Sequence, residues 1–66
     1  MSGKTRHVIK RKINYTMADV VNAIVLLDDI YSMYFPEYAD YAEKVDIVRQ
    51  ALRAALVYLK AFQESI

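Results

Sequence analysis

Cysteine and tryptophan are missing from this sequence, and glycine, proline and histidine occur once each in 66 residues. Without cysteine there is no disulfide framework and no thiolate metal site. A single histidine, His7, rules out an all-histidine metal centre within one subunit. It lies beside Arg6 with no serine or cysteine nearby to activate, and Asp28 and Asp29, being adjacent, would point about 100° apart on a helix. No catalytic residue, metal ligand or cofactor site emerges, and no enzymatic activity is expected. The one glycine falls in Ser2-Gly3-Lys4-Thr5, similar to the tail of a phosphate-binding loop. That loop needs an earlier glycine and a preceding strand, for which there is no room. The longest apolar runs, Ala23 to Leu27 and Ala54 to Leu59, fall far short of the roughly 20 residues of a spanning helix, so a soluble, cytoplasmic protein is expected.

What the chain does contain is heptad spacing. From Asp40 to Glu64, Tyr41, Val45, Val48, Leu52, Ala55, Leu59 and Phe62 recur at steps of four and three, the stripe a helix turns toward another helix. A second stripe, Ile47, Ala51, Ala54, Tyr58 and Ala61, is made mostly of small residues. Upstream, Thr16 is a credible N-cap with Asp19 three residues on. Met17, Val20, Ile24, Leu27, Tyr31 and Tyr34 form a seam flanked by Ala23, Leu26, Ile30 and Met33. Phe35-Pro36 ends this helix, because the residue before proline is pushed out of the helical region. The spacing therefore predicts helices over about 16–35 and from 37 or 40 to 64, Asp40 and Glu43 resembling a capping box. A connection this short makes them antiparallel neighbours.

Both helices carry more apolar surface than one hairpin can bury, and 56% of all residues are hydrophobic. A chain of this size without disulfide or metal is usually stabilised by association. The expected fold is all-α: a helical hairpin dimerising into a four-helix bundle, with Ile47, Ala51, Ala54, Tyr58 and Ala61 at the subunit contact.

The net charge of +1 conceals a division along the chain. Residues 1–15 carry Lys4, Arg6, Lys10, Arg11 and Lys12 without an acid, whereas residues 16–66 hold four cations and eight acids. This segment is expected to be an extended arm, either flexible or a short strand over Val8 to Asn14. Strand, first helix from Thr16 and second helix through Ile47-Val48-Arg49-Gln50-Ala51-Leu52-Arg53 resemble the layout of ribbon-helix-helix DNA-binding proteins. That resemblance implies a β-α-α dimer with Lys10, Lys12 and Asn14 in the major groove. The sequence departs from the family in placing Arg11 on the buried side of the strand and in lacking a glycine turn between the helices.

Five cations in nine residues make an electrostatic footprint for phosphates, with Arg49, Arg53 and Lys60 adding a basic stripe on the second helix. The leading functional expectation is a small homo-oligomeric regulatory or accessory protein that binds DNA or RNA through Lys4, Arg6, Lys10, Arg11, Lys12 and Asn14. A second is a protein-interaction module or inhibitor, docking an acidic protein on the arm or presenting its acidic first helix or the tyrosine-rich end of the bundle to a partner. A third is capture of a planar ligand or nucleotide by the aromatic residues near the turn, of which Tyr34, Tyr38 and Tyr41 are the candidate contacts. The same rings are equally suited to closing the end of a bundle.

Overall fold

The computed structural model describes residues 2–66 and is a hairpin of two long helices, α1 (Gly3–Tyr34) and α2 (Ala39–Ser65), packed against each other. It is a single layer, 53 × 15 × 10 Å between Cα extremes. Phe35 to Tyr38 make the turn; Phe35 leaves helical geometry before Pro36, as the steric clash with a following proline requires.

The basic segment is helical. This corrects the expectation of an extended arm, of a strand over 8–14 and of a helix beginning at Thr16; Met1 lies outside the described residues. Ser2 is the cap: its hydroxyl oxygen accepts from the Thr5 amide at 3.2 Å and its hydroxyl donates to the Thr5 hydroxyl at 2.9 Å. The Thr16 hydroxyl instead donates to the Lys12 carbonyl at 2.9 Å, one turn back, so it decorates a continuing helix. Lysine and arginine are good helix formers, and Ile9 and Ile13 continue the α1 seam backwards at helical spacing, giving the segment something to pack. Ile13 is 7% exposed against α2. With every described element helical, the ribbon-helix-helix alternative has no ribbon.

The α1 seam is the expected one as far as Tyr31: Met17, Val20, Ile24, Leu27 and Tyr31 turn inward, with Ile24 only 8% exposed, whereas Tyr34, its last expected member, is exposed. The α2 seam is not. Its inward line is Ala42, Val45, Arg49, Leu52, Leu56, Leu59 and Gln63, sharing three positions with the expected line and replacing Tyr41, Val48, Ala55 and Phe62 by their neighbours. Two polar residues therefore sit on the buried line, and each finds a partner on α1. Ala42, 1% exposed, fills the narrow place beside the turn where a larger side chain would push the helices apart. α2 starts after Tyr38, which makes no side-chain cap bond, and Asp40 lies in its first turn, where a carboxylate complements the helix dipole.

Arg49 against Asp28, and Gln63 against Lys10 and Asn14, fix the register of the pair. At a rise of about 1.5 Å per residue, α1 outruns α2 by roughly one to two turns at the open end. Residues 2–7, including Lys4, Arg6 and His7, are exposed there.

Candidate functional site

The hairpin presents three distinct surfaces. The first is the basic start of α1. Lys4, Arg6, Arg11 and Lys12 are exposed and Lys10 is half-buried. At 100° per residue Lys4, His7 and Arg11 share one side of the helix and Arg6 and Lys10 another, so cations are spread around the start of α1. Among the described residues the only carboxylate–cation contacts are those of Arg49, so none of these five is paired. The first turn of α1 has no acid. Cations here oppose the positive end of the helix dipole, and an anion would relieve both. Asn14, expected beside them, serves the hairpin: its side-chain oxygen accepts from Gln63 Nε2, which also donates to the Lys10 carbonyl at 3.3 Å.

The second surface is polar and centres on Arg49, whose side chain is 17% exposed. Its guanidinium donates to Asp28 at 2.8 Å and to Asp46, and lies over the Tyr31 ring at 4.4 Å from the centroid. Hydrogen bonds from Arg49 and then Gln50 hold the Asp46 carboxyl below its ordinary value. Those to Asp46 and Asp28 raise Arg49 above its own. Arg49 is thus an intramolecular clasp and not part of a basic stripe; Arg53 and Lys60 remain exposed on α2.

The third surface is apolar. Leu26, Ile30 and Met33 of α1 and Tyr41, Val48 and Phe62 of α2 are exposed, Met33 at 82%. In an antiparallel pair, the side of each helix reached by stepping back from its seam lies on the same face of the hairpin, and all six residues are on that side. Toward the open end this face becomes a groove of about 940 Å³ lined by Thr16, Val20, Ala55, Tyr58, Leu59, Ala61, Phe62 and Ser65. Of the residues expected at a subunit contact, Ile47, Ala51, Ala54, Tyr58 and Ala61, all are exposed, and Tyr58 and Ala61 line the groove.

At the turn, Tyr34, Tyr38 and Tyr41 come together with centroids 5.4 to 6.3 Å apart, and Tyr31 stacks on Phe35 at 5.8 Å. The rings satisfy one another across the turn, tying Tyr34 of α1 to Tyr41 of α2.

Sequence reasoning missed Arg49 and Gln63, because a polar residue in a heptad is assigned to solvent. The available signal was complementary: Asp28 and Asp46 for the one, Asn14 for the other. Among the described residues no group of three His, Cys, Asp or Glu side chains could hold a metal ion, and no helix is long and apolar enough to cross a membrane. Comparison with protein-family models, with curated proteins and with solved structures finds nothing that matches this chain.

Proposed function

We propose that this protein is a small self-associating accessory protein that binds nucleic acid through the basic first turns of α1. One observation carries the reading: Lys4 and Arg6, on turns that project past α2, and Lys10, Arg11 and Lys12, level with its last turn, stand on one helix start, and among the described residues no carboxylate is paired to any of them. Such an arrangement neutralises phosphates and displaces their counterions. The helix start adds its amides and dipole to the same attraction. Asn14 is engaged by Gln63, so the amide expected among the contacts is held within the hairpin, and the binding rests on phosphate contacts from the cations.

Self-association belongs to the same reading. A hairpin with Leu26, Ile30, Met33, Tyr41, Val48 and Phe62 on one face leaves in water what a second hairpin would cover, and the pair is a four-helix bundle. The bundle is then a rigid mount for the basic ends.

The test is Lys4→Gln with Arg6→Gln and Arg11→Gln in the full chain, assayed for binding to mixed-sequence duplex DNA and to RNA at low salt. Loss of binding with unchanged helicity is the expected result. Binding at the unsubstituted affinity would remove the function from this end of the molecule.

A further inference from the structure

The apolar face is uneven along its length, and so is the charge. Near the turn, Leu26, Ile30 and Met33 stand out as a ridge; near the open end, the same face is the groove between Thr16, Val20, Ala55 and Phe62. Residues 1–19 and 57–66, which form the open half, hold six Lys or Arg and two acids, a net charge of +4. Residues 20–56, the turn half, hold three Lys or Arg and six acids, a net charge of −3. Each hairpin is therefore a rod with a ridge at its negative end and a groove at its positive end.

We propose that a second copy of this chain occupies this face in the reverse direction, about a two-fold axis crossing the hairpin near Ile24 and Leu52. The inference rests on the self-associating reading above and adds its geometry. Rotation by 180° about that axis lays the ridge of each copy into the groove of the other, which an isologous contact requires. Met33 comes level with Thr16 of the partner subunit, and Ile30 with Val20 of the partner subunit. On α2, Tyr41 meets Phe62 of the partner subunit, and Val48 meets Ala55 of the partner subunit, large against small. Lys12 comes opposite the acidic turn carrying the partner's Glu37. The other two-fold arrangement, about the long axis, lays each α1 ridge on α2 of the partner subunit instead of on the groove and brings the two +4 ends together, which like-charge repulsion disfavours.

The overlap spans about 24 residues of each helix, roughly 36 Å, and with a face roughly 20 Å wide it removes on the order of 1,400 Å² in total from water, within the range of stable interfaces. The overlap stops short of the first turns of α1. Lys4 and Arg6 stay uncovered, and the two basic ends emerge at opposite ends of the bundle. A dimer of this form joins two nucleic-acid segments and does not clamp one.

Gly3 offers a clean reporter, because nothing lies within 4 Å of where a Cβ would be and the chain has no cysteine of its own. A spin label on Gly3→Cys in the full chain, without nucleic acid, is expected to give an interspin distance of roughly 60 Å, since each label lies 21 residues from the axis. A distance below about 30 Å would establish the parallel dimer and overturn the orientation while leaving self-association intact. A monomer by sedimentation would overturn the dimer itself, and neither result touches the phosphate-binding reading. Met33→Asp, at a side chain the hairpin does not bury, is expected to give a helical monomer. A Met33→Asp protein that still dimerised would exclude this face.

Discussion

Gln63 donates from Nε2 to the main-chain oxygen of Lys10 at 3.3 Å, a contact spanning 53 positions of sequence, and so ties the last turn of α2 to the middle of the basic segment. The same amide reaches the Asn14 side chain. The cations are thereby held on a fixed helix. Gln63→Ala removes both bonds, and at about 0.5 to 1.5 kcal/mol for a typical intramolecular hydrogen bond the loss is on the order of 1 kcal/mol. Amide exchange over residues 5–12 is expected to accelerate while that over 20–31 is unchanged.

Lys4→Glu separates stability from binding. A carboxylate in the first turn of α1 complements the helix dipole, and Lys4 now opposes it, so the substitution is expected to stabilise the protein by about 0.3 to 1 kcal/mol. Nucleic-acid affinity moves the other way. Thermal melting and a binding titration of the same sample check both signs.

Ala42 tests the packing beside the turn. It is 1% exposed, so Ala42→Leu inserts three carbon atoms where the helices meet and is expected to destabilise by about 1 to 3 kcal/mol in a denaturant titration. Ala51→Leu, at an exposed position of the same helix, is expected to leave the hairpin's own packing unaffected.

Asp46 gives the fold an acid dependence. Its carboxyl is held below its ordinary value by Arg49 and then Gln50, so its folded pKa lies under its unfolded one. That contribution is complete above the unfolded pKa, near 4, and disappears as pH falls through the folded value. The melting temperature is expected to be flat between about pH 5 and 7 and to drop below about pH 4. Asp46→Asn should shrink the drop by no more than a few degrees, because the carboxylate is 40% exposed and screened by solvent.

The α1 seam was legible in the sequence because Met17, Val20, Ile24, Leu27 and Tyr31 form one unbroken apolar line at helical spacing, with Asp28 beside it. α2 offered two lines one position apart, and the more apolar one is not the one that faces α1. Arg49 and Gln63 decide the matter: their long stems pack along the seam while their heads reach Asp28, Asp46 and Asn14, a pattern invisible to a division of residues into apolar and polar. Of the displaced apolar line, Tyr41, Val48 and Phe62 are exposed and Ala55, half-buried, lines the groove. The helical start of α1 was hidden by Thr16, whose hydroxyl suits a cap but bonds back to Lys12. The pairs that do mark it are Ser2 with Thr5 and Ile9 with Ile13. The cations were visible from composition alone; that Lys4 and Arg6 project past α2 while Lys10 to Lys12 lie beside its last turn depends on the register of the two helices, which only the cross-helix contacts set.

The central claim is that the projecting basic turns bind phosphates, and the salt dependence of binding tests it most directly. Affinity for a mixed-sequence duplex, measured from 50 to 200 mM salt, is expected to fall with a log–log slope steeper than about −3, and Lys4→Gln is expected to make the slope shallower by about 0.9. A slope near zero, or one that Lys4→Gln, Arg6→Gln and Arg11→Gln leave unchanged, would contradict the account.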